Sequence, residues 1–477
     1  MEIALPFGDE THKLRLDVPK KNVMVIRSRN TPAAKTVEDQ AREALESPIN
    51  SRRLSQNRLK GKKVVILVDD VGRPTPTRKV LPIVLEELER TGAKDITFIV
   101  ARGAHLPGAY YSHEFTSTRS EAIREEQIWK LGEDVVENHR VITHDGFNPK
   151  NVEYVGISSL GTPIWINKEV LSANFKLAIG RVCPHLDMGY AGGAKMILPG
   201  VSGVETVFVN HLKFNTRFGY GTLYENPARR DVDEVGNIVG LDFILNFAIW
   251  TGKSRKAFAG NMNGAHRAGI EWGDRHVWGA EIGEKADITI VSSDHAGLGL
   301  EYSRRSSTKR GGTIVYVTPD EAANEREELA YVQELASQRS EYDDGMQSMG
   351  IEELLRKEAR FDFPEELYHA HMNYTCIQAK RHYFQHHIIH VGGRLSEYVI
   401  YYGEKVKRES IDHMDSLDAA VKQALKEQGR NARIIVMPEG DTTLPIKKIH
   451  EAKEFYTSPV YQALLDWEEW GGRPTAS

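Results

Sequence analysis

The sequence predicts an α/β protein made of two α/β domains with largely parallel sheets. Three observations carry this: short β-branched runs, helices with one apolar face between them, and two such series divided by a polar stretch. KKVVILVDD (62–70) is the first expected strand. VLPIVLEELERTGA (80–93) follows as a helix, with Val80, Leu81, Val84, Leu85 and Leu88 on one face and Gly92 as its stop. DITFIVARG (95–103) completes a βαβ unit, and FKLAIGRV (175–182) reads as a further buried strand. The second series comprises ADITIVSSD (286–294), GGTIVYVTP (311–319), a charged helix near 320–340, SEYVIYYG (396–403), the helix SLDAAVKQALKEQG (416–429) and ARIIVMPEG (432–440). Polar GAEIGEKAD sets the boundary near 280, so the expected domains are 1–282 and 283–450, with a helical tail at 451–477 packing back on the first. The first 60 residues are expected as a small β segment and a helix on the first domain. Ligands of open parallel sheets gather beyond the carboxyl ends of the strands, which puts the expected active site in the cleft between the domains.

Composition narrows the function. With 477 residues, 40% of them hydrophobic, the chain can bury a large core. Its 62 Lys and Arg against 67 Asp and Glu, a net charge of −5, argue against nucleic acid or an anionic membrane as partner and favour a small molecule. There is no basic, apolar leader and no run of about 18 uncharged apolar residues, so a cytoplasmic location is expected. The two cysteines, Cys183 and Cys376, make neither a disulfide framework nor a Cys-based zinc site.

Strand ends carry the candidate chemistry. Asp70 and Arg73 follow the first strand in DDVGRPTP, His105 the second in RGAHLP, and His185 the third in CPHLD. Singly, each reads as readily as a cap, a solvated charge or a loop histidine; their recurrence at equivalent topological positions points to one crevice. The third strand runs into CPHLDMGYAGGAKMILPG (183–200), a glycine-rich segment with one lysine. It is no P-loop, because Ala194 and Met196 flank Lys195, and the chain has no G-x-G-x-x-G fingerprint. Gly189, Gly192 and Gly193 would let the backbone approach a flat or phosphorylated ligand. His211 lies on the expected helix GVETVFVNHLKF, as a metal ligand or a structural histidine.

DDVGRPTP, ARGAHLPG, PHLDMGYAGGAKMILPG, VFVNH and ENPARRDVDEVG together resemble the lactate racemase family over most of residues 60–240, and ARIIVMPEGDTTLP resembles its closing strand. The resemblance implies a nickel-pincer nucleotide derived from nicotinic acid, joined covalently to Lys195, with His211 completing the nickel coordination. It implies His105 and His185 as acid/base residues, Asp70 and Arg73 as contacts to cofactor or substrate, and cofactor-synthesis and insertion proteins as partners. The chemistry is coherent. A carbinol C–H is a very weak acid, so hydride removal to an electron-poor acceptor is easier. A neutral imidazole with a pKa near ~6.5 can take the hydroxyl proton as hydride leaves. Returning hydride to the other face moves the hydroxyl and calls for a second histidine. Arg73 can clamp the carboxylate or polarise the carbonyl, and burial between domains would keep water out.

The substrate pattern departs from the lactate-active one. SSDHAGLGLEYSRRSS (292–307) has Gly299 where a Gln and Tyr302 where a Lys are expected. Room left by the Gln, with His295, Tyr302, Arg304 and Arg305 as donors, suggests a larger polar 2-hydroxy acid such as an aldonic acid epimerised at C2. Alternatively the arginines are merely solvated. HYFQHHIIH (382–390) spaces His382, His386 and His390 along one face of a helix, without the Glu of zinc hydrolases; the resemblance instead places an aromatic, Tyr383 or Phe384, over the cofactor. Lactate racemisation proper, a nicotinamide- or metal-dependent oxidoreductase and a noncatalytic ligand-binding protein are the other readings.

Overall fold

The computed structural model describes residues 1–7, 10–105, 119–214, 219–293, 298–318, 386–392 and 410–457. It contains two six-stranded sheets and several two-stranded ones. Across the first large sheet the order is Lys253–Gly260, Phe243–Trp250, Phe175–Val182, Lys63–Asp69, Asp95–Ala101, Arg140–Thr143. All are parallel except the edge strand Lys253–Gly260, which returns antiparallel to its neighbour. The second runs Ser410–Met414, His387–Gly392, Thr308–Thr318, Ala286–Ser292, Ile434–Met437, Val23–Val25, parallel throughout. The chain is therefore α/β, as its sequence predicts.

Near-continuous apolar strands follow from burial on both faces. In Lys63–Asp69, Val64, Ile66 and Val68 point to the core shared with the helices Val37–Glu46 and Thr77–Glu89, while Val65 and Leu67 point to the opposite core with Ile197 and Leu198. The helix Leu417–Gln428, capped by Ser416, lays Ala420, Val421 and Ala424 on the second sheet with Ile288 and Val315.

The first 60 residues divide between the two large sheets: the expected helix packs on the first, but the β segment joins the second. Val23–Val25 pairs with Ile434–Met437 as the edge of the second sheet, and the hairpin formed by Glu2–Phe7 and Glu10–Arg15 buries Leu5 and Leu14 against Ile290 and Val317. Only from Val37–Glu46 onward does the chain join the first sheet. A three-residue strand carries too little pattern to be read locally; its place is set by the exposed edge of a strand more than 400 residues downstream. The hairpin Phe243–Gly260 and the strand Arg140–Thr143 were likewise not anticipated. The expected elements at 320–340 and 396–403 lie outside the described residues. The start of the tail, Ala452–Thr457, meets the first domain's helix Met262–His276, where Ala452 N donates to Glu271 Oε2 at 2.8 Å. Among the described residues no helix is long and apolar enough to cross a membrane.

Candidate active site

The ends of three neighbouring parallel strands build the site. After Lys63–Asp69 the chain turns through Asp70–Arg73, closed by Arg73 N donating to Asp70 O at 3.1 Å. Lys130, from the helix Arg119–Leu131, pins this turn by donating Nζ to the carbonyls of Asp70 and Arg73, each at 3.2 Å, and pairs with Asp69 at 2.5 Å. From the next strand end, His105 Nδ1 meets Asp70 Oδ2 at 2.7 Å. Burial alone would raise the Asp70 carboxyl. The His105 hydrogen bond and the charges of His105, Arg73 and Lys130 outweigh it and hold the group well below the carboxylate range. Asp70 Oδ1 is buried with no hydrogen-bond partner among the described residues. The sequence suggests Asp70 as a cofactor or substrate contact; in the structure it holds His105 through Nδ1.

The third strand, Phe175–Val182, leads into the glycine-rich segment. Pro184–His185 pairs with Gly189–Tyr190 in a tight antiparallel turn. His185 Nδ1 accepts from the backbone N–H of Asp187 at 3.1 Å and of Met188 at 3.2 Å, and its Nε2 lies 3.1 Å from Lys195 Nζ. Lys195 sits on the 3₁₀ turn Gly193–Met196 and is half-buried. Burial, with the charge of Arg229 and then Arg73, lowers its pKa from 10.5 to about 7 against the opposing pull of Asp187 and Cys183. Burial also takes His185 well below its usual value, helped by Lys195, His211 and Arg73 and opposed by Asp187.

The glycines serve the protein's own packing. A Cβ on Gly192, at φ +91°, would stand 2.3 Å from Arg181 O and 2.8 Å from Asn246 Oδ1; on Gly189, at φ +69°, it would stand 1.5 Å from Thr222 O. Gly193 is closed off similarly by the His266 ring at 2.9 Å. The Cβ side of each glycine is therefore filled by the protein itself. Beneath the turn lies a buried ionic network that sequence reasoning missed. Arg229 donates to the Gly192 carbonyl at 3.1 Å and to Asp233; Arg267 also pairs with Asp233 and reaches His266, whose Nε2 faces Ala191 O at 2.8 Å. Asn246 Oδ1 takes the Gly193 N–H at 2.8 Å. A visible signal existed: Asn246 is the lone polar residue in the otherwise apolar strand FILNFAIW, and Arg229 and Asp233 stand i, i+4.

His211 falls on the helix Val204–Phe214, buried, with Nδ1 against Val207 O at 2.9 Å. That fixes the ring so that Nε2 is the nitrogen able to act as a metal ligand. Arg73 bears electrostatically on Asp70, His185 and Lys195, so it links the two histidine groups.

The expected substrate residues behave differently. Arg304 and Arg305 are not solvated: both are largely buried and paired with Glu301, at 2.9 and 2.8 Å. Tyr302 is buried edge-on to Tyr220 at 4.8 Å. Gly299 opens no room, because a Cβ there would meet Val291 at 3.1 Å and Gly440 at 3.2 Å. Arg305 and Tyr220 do feel the charge of Asp187, which brings this group beside the His185 turn. His295, Tyr383, Phe384 and His382 lie outside the described residues. His386 precedes and His390 lies within a strand, not a helix; four strand residues span about 13 Å, too far for one metal ion. His390 instead bonds Thr318 Oγ1 at 2.8 Å and His413 Nδ1 at 3.0 Å. Among the described residues no group of three or more His, Cys, Asp or Glu can hold a metal ion.

Residues 7–219 match the lactate racemase N-terminal domain. Lactate racemase from Thermoanaerobacterium thermosaccharolyticum is 33% identical over 61% of this chain, an aligned stretch spanning 66% of that relative. The lactate racemase apoprotein structure from the same organism covers 93% of this chain and 100% of its own, at TM-score 0.65 and 26% identity. The chain belongs to the lactate racemase family. Lactate racemase from Lactiplantibacillus plantarum is similar over nearly the full length, 24% identical across 92% of this chain and 98% of that one. Membership of the lactate racemase family places the chain among racemase-type isomerases, and the Asp70–His105 and His185–Lys195 pairs lie within or beside the matched domain's strand ends.

Proposed function

We propose that this chain inverts the C2 carbinol of a 2-hydroxy acid using a nickel-pincer nucleotide attached through Lys195, with His211 on the nickel. The observation that carries the reading is a half-buried lysine amine, lowered toward neutrality, between one histidine and a guanidinium within electrostatic range of a second, carboxylate-paired histidine. The donor set fits such a group: an amine, an imidazole with Nδ1 already committed, and a buried Asp70 carboxylate oxygen with no hydrogen-bond partner among the described residues. When bound, the nucleotide supplies an electron-poor carbon that accepts and returns hydride. His105, held through Nδ1 by Asp70, presents Nε2 to the substrate hydroxyl and takes its proton. Arg73 binds the carboxylate and lowers the cost of the developing carbonyl. His185 would be the second acid/base group, on the acid side: with Nδ1 accepting from two backbone N–H groups, the neutral ring would present Nε2–H to the substrate oxygen.

The substrate we propose is a polar 2-hydroxy acid larger than lactate, such as an aldonic acid. Support comes from Arg305, Glu301 and Tyr220 beside Asp187, a polar wall next to the His185 turn. The site is read as working in the cytoplasm with cofactor-insertion proteins as partners. The test is intact-protein mass spectrometry and nickel analysis of chain made in a host with the cofactor pathway, followed by racemisation of a panel of 2-hydroxy acids. A nucleotide-sized adduct on Lys195, nickel, and fastest turnover of a sugar acid are expected. Nickel-free protein without adduct refutes the racemase mechanism; faster turnover of lactate refutes only the substrate.

A further inference from the structure

We infer that His185 holds Lys195 as the neutral amine before any cofactor is attached, and so acts as the positioning residue for loading as well as a group of the finished site. The inference rests on the reading of Lys195 as the attachment point, and its own argument is one of hydrogen-bond directions. Two backbone N–H groups, of Asp187 and Met188, point at His185 Nδ1 from 3.1 and 3.2 Å. Backbone amides only donate, so Nδ1 must offer its lone pair. The neutral ring then carries its proton on Nε2, the nitrogen 3.1 Å from Lys195 Nζ. A ring N–H facing an ammonium would set two donors against each other, whereas a neutral amine has a lone pair to accept that proton. The opposite arrangement, ammonium donating to a bare Nε2, would place Nδ1–H against two backbone donors. The turn Pro184–Tyr190 thus selects the protonation state of a lysine ten residues away.

The surroundings agree. Facing the amine are Arg229 and Arg73, which oppose a further positive charge, and Asp187 and Cys183, which favour it; burial is the largest influence, and the balance leaves the pKa at about 7. Around His185, Lys195, His211 and Arg73 oppose an imidazolium and Asp187 favours it, with burial again dominant. The Gly192 carbonyl at the foot of the lysine's turn is held by Arg229 at 3.1 Å, so the amine is delivered from a fixed backbone. Nucleophilic attachment needs the Nζ lone pair, and an ammonium has none.

The experiment uses full-length protein from a host without the cofactor pathway, so no activity enters. Trace acetic anhydride labels the amines across a pH series, and peptide mass spectrometry reads Lys195 against the other lysines. Half-maximal labelling of Lys195 is expected near neutrality, about three units below an ordinary lysine. His185→Phe, which removes the Nε2 donor, is expected to move the midpoint up by at least about one unit, about a fivefold loss of labelling at pH 7. His185→Gln, which restores an N–H donor, is expected to recover most of it. A wild-type midpoint in the ordinary lysine range, or equal labelling in the Phe variant, overturns the inference. Should the Phe variant fail to fold, the ¹⁵N spectrum of wild-type His185 decides: a ring protonated on Nδ1 overturns it and one protonated on Nε2 supports it. Absence of an adduct in a cofactor-competent host would refute the attachment reading instead, leaving this labelling result as it stands.

Discussion

Replacing Asp70 by Asn tests how the first histidine is armed. The carboxylate meets His105 Nδ1 at 2.7 Å and is buried, so the pair is charge-assisted and little screened. Such a bond contributes about 1.5–3 kcal/mol. If that stabilisation belongs to the imidazolium formed as the substrate loses its hydroxyl proton, its loss lowers kcat by about 10- to 150-fold at 1.36 kcal/mol per decade. KM should change far less, because an interaction that strengthens only in the transition state does not enter substrate binding. The carboxyl is held below its ordinary range, so its contribution to stability is present above the unfolded value of about 3.9 and lost only as pH falls through the lower folded value. Assays near pH 7 therefore see Asp70 as the carboxylate, and acid unfolding does not intrude. The assay is racemisation in both directions, normalised to nickel content and to Lys195 adduct. A variant with normal loading and kcat within about twofold of wild type would refute the dyad argument.

The buried network under the lysine turn should be costly to break. Asp233→Asn leaves Arg229 and Arg267 buried with their shared carboxylate gone. A loss of about 3–5 kcal/mol is expected, hence a fall in Tm of about 3–8 °C by calorimetry; a shift under about 1 °C would contradict it. His450 should make stability fall with rising pH. Burial works against its charge, but its hydrogen bond to Asp274 at 3.0 Å prevails and raises its pKa. Its contribution is therefore complete below the unfolded value of about 6.5 and lost as pH rises through the folded value. Denaturant titrations of wild type and His450→Gln across that window should converge at high pH; parallel curves would count against it.

Much of the frame was legible. The periodicities of 62–70, 80–93, 95–103 and 175–182 match the observed strands and helix to within a few residues, and the strand-end rule picked out Asp70, His105 and His185 without any coordinates. Only the helix-face spacing of His386 and His390 departs from the structure, where a strand holds His390, because spacing along a chain cannot tell a helix face from a strand face when the residues are few. For Arg304 and Arg305 the sequence left substrate donor and solvated charge both open, since charge reads as exposure until a buried partner such as Glu301 is seen. By itself the sequence determined the α/β class, the strand ends and the lysine-bearing turn, all set by local pattern. Only the tertiary structure decided that Asp70 orients His105 across 35 residues, that Val23–Val25 closes the far sheet, and that His185 faces Lys195 with its Nδ1 already spoken for. These depend on which strands lie side by side and which backbone donors point inward, and no short-range periodicity encodes either.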